Sequence, residues 1–270
     1  MTSNDPDAIG TAVHERKASR IVNYWNRELL CSLDSSTSHA DPDLACLDNV
    51  VENCVLREVL ARWTTENCQR CLDIGAGYGR FVPTFRQFYS QIILLEAAEQ
   101  IYERLRMLRQ CDGNTKCYNS LFESFKDERE YDLLFASGVI YLYDDDMLSR
   151  FVGKAATMLR RGGLLILRDF VADPSRIIQS SYVQGGHCHY RTPQFWRDLA
   201  RASRFEFLEI RRSKPRLALV RNPRLLSVLR RLRMIQWLRY SVVAAAAQRA
   251  GSFRLHGGHI HPVFLAMRLS

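Results

Sequence analysis

An apolar stretch ending in a carboxylate runs straight into three alternate glycines at Leu72-Asp73-Ile74-Gly75-Ala76-Gly77-Tyr78-Gly79-Arg80, and this turn leaves few folds open to the chain. Glycine lets a backbone turn tightly and approach a ligand where a Cβ would clash. Short apolar runs then alternate with longer amphipathic stretches. Cys71–Ile74, Ile92–Leu95, Lys116–Tyr118, Asp132–Ala136 and Leu164–Leu167 are expected strands, and Phe81–Tyr89, Glu99–Gln110 and Asp145–Leu159 expected helices. In the last of these Leu148, Val152, Ala155 and Leu159 share one face, and Arg161-Gly162-Gly163 is expected to end the helix with positive-φ residues. Alternation of this kind implies an α/β fold with a doubly wound, mainly parallel sheet.

Around this core, residues 12–66 read as a helical extension. After Asp169 come a helix near Pro193–Ala202, a strand Glu206–Ile210 and a last strand Val263–Met267. The expected organisation is an N-terminal helical extension over 1–69, a core over 70–210, a basic helical insertion over 211–262 and a last core strand over 263–270. Charge follows this division. Of the 38 Lys and Arg, 13 lie in residues 211–270, where there is no Asp or Glu; the preceding residues hold 25 basic against all 29 acidic ones, a net of −4. Such asymmetry speaks to partners rather than to fold, and it argues against a uniformly basic nucleic-acid coat.

The glycine run alone admits several ligands. A dinucleotide fingerprint is G-x-G-x-x-G, and Arg80 stands at the place of its third glycine, which weakens a nicotinamide reading. Ile92-Ile93-Leu94-Leu95-Glu96 then ends an apolar strand on a carboxylate 17 residues beyond Gly79, where it can accept both hydroxyls of a ribose.

With these residues in place the chain resembles the class I S-adenosylmethionine-dependent methyltransferases. The resemblance covers roughly residues 70–210 and the last strand. It rests on Asp73-Ile74-Gly75-Ala76-Gly77-Tyr78-Gly79, on Glu96, on Tyr131-Asp132-Leu133-Leu134 and on Leu159-Arg160-Arg161-Gly162-Gly163-Leu164-Leu165. It implies a Rossmann-like, seven-stranded sheet whose last strand is antiparallel, and S-adenosyl-L-methionine as cofactor. By the same resemblance Asp73 and Gly75, with Ala76 and Gly77, hold the methionine moiety, Glu96 and Ala97 the ribose, and Ser120, Leu121 and Phe122 the adenine. Ser137 and Gly138 fall near the sulfonium. Many members carry Asp where this chain has Ser120, which leaves adenine recognition to backbone amides and apolar packing.

Candidate groups for the acceptor follow the fourth and fifth strands, because ligands of open α/β sheets sit at the carboxyl ends. They are Tyr141, Asp169, His187 and His189, with Tyr190 beside them. Each has a bland alternative: Asp169 as a partner of Arg168 or a turn cap, Tyr141 as a packing aromatic, and the histidines with only one facing substrate. No metal site is expected, with the groups His187-Cys188-His189 and His256, His259, His261 as the minor alternative. Cys68 and Cys71 form a CxxC, but no second pair or histidines at zinc spacing follow closely.

The insertion leaves and rejoins the sheet at the cofactor edge, so it is expected to border the acceptor pocket. Residues 224–239 form an expected helix with Leu225, Val228, Leu229, Leu232 and Ile235 on one face. That helix could lie on an anionic membrane, pack on the core with its arginines in solvent, or bind phosphates of the acceptor. The acceptor is accordingly expected to be a small-molecule, glycan or lipid-linked compound that is anionic, methylated on O or N. RNA or a protein amine is the alternative, and a non-catalytic binding module a further one. The N-terminal twenty residues lack an apolar signal region, and the chain is expected in the cytoplasm, with membrane association where residues 224–239 serve that role.

Overall fold

Burial on both faces explains why the strands read as unbroken apolar runs. The computed structural model of the protein describes residues 17–26, 42–109, 113–181, 183, 186–213 and 259–270. Helix α1 spans 17–26, and α2 (Pro42–Trp63) precedes β1 (Arg70–Ile74). The core continues with α3 (Val82–Phe85), β2 (Gln91–Glu96), α4 (Glu99–Arg109), β3 (Thr115–Asn119), β4 (Tyr131–Ser137), a 3-10 turn at Ile140–Leu142, α5 (Asp145–Met158) and β5 (Leu159–Asp173). A small pair, β6 (Ile177–Ser180) and β7 (His187–Tyr190), is followed by α6 (Pro193–Ala202), β8 (Phe205–Arg212) and β9 (His259–Leu269).

Seven strands form one sheet in the order β3-β2-β1-β4-β5-β9-β8. Strands β1 to β5 pair in parallel, and β9 runs antiparallel to both β5 and β8. Side chains alternate between the two faces. On β4, Leu134 and Ala136 join one core cluster while Leu133 and Phe135 join the other, and β5 divides Leu165 and Leu167 from Leu164 and Ile166 in the same way.

Local chemistry sets the boundaries. Helix α5 starts where the Asp144 side chain accepts from Met147 N at 3.0 Å. It buries Met147, Leu148, Phe151, Val152, Ala155 and Met158, the three- and four-residue spacing of one helical face. Its end differs from expectation. Leu159 is already extended, and Gly162, at φ +78°, lies within β5 where the register with β4 shifts between Tyr131 and Leu133. The glycine therefore serves a bulge in the strand rather than a helix cap. The expected helix Phe81–Tyr89 shortens to the four residues of α3.

Both anchors of the basic segment lie at the carboxyl edge of the sheet, since Asp173 pairs with His259 and Arg212 with Val263. The helix expected at 224–239 lies outside the described residues.

Candidate functional site

The carboxyl ends of β1, β2 and β4 converge on a cavity of about 320 Å³. Its shape begins with the glycine turn. Gly75 has φ +66°, and a Cβ there would come within 2.6 Å of Val139 Cγ2, so the loop packs against the end of β4 only without a side chain. Gly77, at φ +57°, faces open space in which a Cβ meets nothing, so a ligand can lie against its backbone. Glu96 locks the turn. Its Oε2 accepts from Gly77 N and its Oε1 from Ala98 N, both at 2.9 Å. Burial pushes the Glu96 carboxyl up from its ordinary range, and these amides oppose the shift. Each oxygen keeps a lone pair for a hydroxyl at the cavity wall.

All eleven residues expected to contact the cofactor line this cavity: Asp73, Gly75, Ala76, Gly77, Glu96, Ala97, Ser120, Leu121, Phe122, Ser137 and Gly138. Asp73 is buried at the end of β1. Ser120 Oγ donates to Leu121 O at 3.0 Å, and Leu95, Ile101 and Phe122 supply apolar wall beside it. A planar base fits between such walls, and a ribose fits against the carboxylate.

Beneath the glycine loop lies a buried ionic triad. Glu52, from α2, accepts from Arg80 Nη1 at 2.6 Å and from Arg168 Nη2 and Nε at 2.6 and 2.9 Å. Arg80 Nη2 also donates to Ser137 Oγ at 3.2 Å, and both arginines line the cavity. Burial lowers the Arg80 pKa, with Glu52 opposing. Adjacent strand residues face opposite sides, so Arg168 reaches Glu52, and the alternative of an Arg168–Asp169 pair is not what forms.

The roof comes from α1. Ala18, Ile21, Val22 and Trp25 line the cavity, and Trp25 packs on Tyr78, Ala98 and Ile101. Beyond Gly138, Tyr141, Leu142, Tyr143 and Phe170 complete the wall, with the Tyr141 and Phe170 rings 5.2 Å apart and edge-on.

Of the four groups expected to act on the acceptor, Tyr141 alone lines this cavity. His187 and His189 line a second cavity of about 100 Å³, together with Lys17, Arg20, Asp144 and Ser181. Asp169 lines neither. It is buried behind the wall, where Phe170 N donates to its Oδ1 at 2.8 Å, and burial pushes its carboxyl up to about 7. Tyr190 stacks parallel to Tyr141 with centroids 6.3 Å apart.

Sequence reasoning missed the roof, Glu52, and the cavity-facing roles of Arg80 and Arg168. The roof has a faint signal in the apolar patch Ile21, Val22, Trp25. Glu52 has none, because its partner Arg168 is 116 residues away.

A family model described as a methyltransferase domain matches residues 49–210. Among curated proteins, phosphoethanolamine N-methyltransferase 1 of Zea mays is 24% identical over 187 residues, 68% of this chain. The matched part spans 35% of that relative's length. Among solved structures, 1,6-didemethyltoxoflavin-N1-methyltransferase of Burkholderia thailandensis, with S-adenosylhomocysteine bound, aligns at TM-score 0.61 and 15% identity, over 95% of this chain and 90% of that one. Magnesium protoporphyrin IX methyltransferase of Synechocystis, with bound S-adenosylmethionine, aligns at TM-score 0.55 and 11% identity over 94% and 97% of the two chains. An O-methyltransferase of Brevibacillus brevis aligns at TM-score 0.56 and 16% identity, over 80% and 71%.

Proposed function

Because the chain belongs to the methyltransferase domain family, and so is an S-adenosylmethionine-dependent methyltransferase, we propose that its acceptor is a small anionic molecule methylated on nitrogen or on an already ionised oxygen. The observation that carries this reading is the make-up of the cavity wall. Its charged residues are Asp73, Glu96, Arg80 and Arg168, and its acceptor end is Tyr141, Tyr143, Phe170 and the α1 side chains. Among the described residues of that wall there is no imidazole, and both carboxylates belong to the glycine turn and the ribose position. A neutral hydroxyl acceptor needs a base at the reacting atom; a free amine or an ionised oxygen does not.

S-adenosylmethionine supplies an electrophilic methyl on a sulfonium, which leaves as a neutral thioether. The chain's own residues then have to align and dehydrate the acceptor. Asp73 and Gly75 hold the methionine end, Glu96 the ribose, and Leu121 with Phe122 the base. Tyr141 and Phe170 orient the acceptor beside Gly138, and Ile21, Val22 and Trp25 keep water out. A roofed cavity favours a small acceptor over an RNA or polypeptide chain, which would require an open groove. The Zea mays relative, named for a phosphate-bearing amine, supports the same class.

Calorimetry and transfer assays test both halves of the reading. The protein is expected to bind S-adenosylhomocysteine, and Glu96→Gln to weaken that binding tenfold or more, about 1.4 kcal/mol or above. With labelled S-adenosylmethionine, label should pass to phosphoethanolamine or another small anionic amine or acid. Transfer confined to neutral alcohols would overturn the acceptor assignment, and no S-adenosylhomocysteine binding would overturn the cofactor site.

A further inference from the structure

We infer that the second cavity is a phosphate-monoester subsite for the acceptor, and that filling it draws α1 down over the cofactor cavity. The inference rests on the methyltransferase reading for what the first cavity holds.

The two cavities share a wall made by Ile21 and Leu142, so a molecule whose reacting atom lies in the first can place its far end in the second. The second cavity is cationic. Lys17 and Arg20 reach it from α1, and Asp144 is the carboxylate in its wall. Asp144 is already engaged, paired with Lys17 and accepting from Met147 N at the start of α5. Arg20 has no carboxylate partner among the described residues, and its guanidinium fork suits the oxygens of a phosphate.

From the opposite side the cavity offers neutral donors. Arg176 Nη2 lies 3.1 Å from His189 Nδ1. A guanidinium can only donate, so Nδ1 accepts, and the imidazole carries its proton on Nε2. Burial, with Arg191 and Arg176 nearby, lowers the His189 pKa and keeps the ring in that neutral donor form at pH 7. Ser181 Oγ accepts from Val183 N at 3.0 Å and retains its own hydroxyl proton for an anion. Cations on one element thus face hydroxyl and imidazole donors on another, and a tetrahedral oxyanion can bridge them.

The bridge has a mechanical consequence. Lys17 and Arg20 lie on the same short helix as Ala18, Ile21, Val22 and Trp25, which roof the first cavity. Among the described residues α1 is tied to the body by the Lys17–Asp144 pair, a 3.3 Å bond from Gln100 N to Asn26 Oδ1, the packing of Trp25 on Tyr78, Ala98 and Ile101, and the packing of Ile21 and Tyr24 against the main core. An anion touches α1 and β7 together only when α1 is down, so it binds the closed form better and shifts the population towards it. Cofactor and phosphate must then tighten one another by equal factors.

The test uses the full chain at fixed ionic strength, titrated with S-adenosylhomocysteine in chloride and in inorganic phosphate buffers. Phosphate is expected to tighten binding about three- to tenfold, Arg20→Ala to abolish that gain, and Arg20→Lys to restore part of it. Hydrogen exchange over residues 17–26 should slow further with both ligands than with either alone. Equal affinity in the two buffers, a phosphate gain that survives Arg20→Ala, or unchanged exchange in α1 would each overturn the inference. The wild-type titration decides even if a variant fails to fold. Absence of S-adenosylhomocysteine binding in both buffers would instead strike the cofactor reading. Vesicles of phosphatidylcholine and phosphatidic acid form a third arm, and an effect from vesicles without one from free phosphate would overturn the small-acceptor assignment.

Discussion

Glu52 and Asp145 each bridge a pair of arginines beside the two cavities, and they do so in different surroundings. Glu52 joins Arg80 and Arg168 with its side chain at 0% exposure and each arginine at 9%. Asp145 joins Arg176 and Arg191 with its own side chain 46% exposed. Burial pushes the Arg80 guanidinium down in the dry triad. In the open one, burial raises the Asp145 carboxyl less than hydrogen bonds from Arg176 and Arg191 lower it, so it sits below its ordinary range. The dry triad fastens α2 to the glycine loop and to β5 under the cofactor cavity. The open one fastens β7 to the turn at Tyr143, whose carbonyl accepts from Arg191 Nη2 at 2.6 Å. Identical partners therefore serve different ends: one is a fixed floor, the other a tether at the acceptor side.

The largest expected effect comes from breaking the floor. Glu52→Ala leaves two buried guanidiniums facing each other without the carboxylate they share, which should cost about 3–5 kcal/mol in denaturant unfolding and sharply weaken S-adenosylhomocysteine binding. Asp145→Ala is expected to cost less, about 1–3 kcal/mol, because Arg176 can turn to water while Arg191 stays buried. Equal losses in the two variants would break the contrast between a dry and a solvated bridge.

Asp169 sharpens the comparison because it feels both groups and pairs with neither. Burial raises its pKa from 3.8 to about 7, against the lowering pull of the Phe170 amide, Arg191 and Arg168. A carboxyl whose folded pKa lies above its unfolded one contributes stability that is full below the unfolded value and lost as pH rises through the folded value. Stability should therefore fall between about pH 4 and pH 7 and level off above, by up to about 4 kcal/mol at 1.4 kcal/mol per unit. Asp169→Asn keeps the acceptor for Phe170 N and removes the titration. The difference in unfolding free energy between wild type and variant should then favour the variant more as pH rises across that window. A difference that does not change with pH would show that Asp169 ionises normally.

These networks mark where the sequence ceases to be informative. The alternation of strands and helices around Gly75 and the carboxylate Glu96 at a strand end were legible from apolar period, glycine freedom and spacing, whereas Ser120–Phe122 and Ser137–Gly138 came with the family resemblance; all of them line the cavity. Arg80 was read only as a missing third glycine, though its side chain carries the cavity floor. Its meaning depends on Glu52 and Ser137, which only topology brings to it. The histidines were expected beside the reacting atom because they follow the fifth strand. The pairing of β6 with β7 turns them into a neighbouring cavity instead, and a four-residue register has no strong pattern to announce it.

The smallest effect tests the solvated side of the contrast at its edge. Arg176 is 34% exposed and pairs with an exposed carboxylate, so Arg176→Ala should cost no more than about 1 kcal/mol of stability. Its consequence is chemical rather than structural. Removing the guanidinium deletes one of the charges that hold the His189 pKa down and also the donor that fixes Nδ1 as acceptor. The imidazole should then titrate closer to its ordinary 6.5 and sample both tautomers, which nitrogen chemical shifts followed through a pH titration would report. A His189 pKa that stays where it was would mean that burial and Arg191 set it alone, and that Arg176 does no more than cover the open bridge.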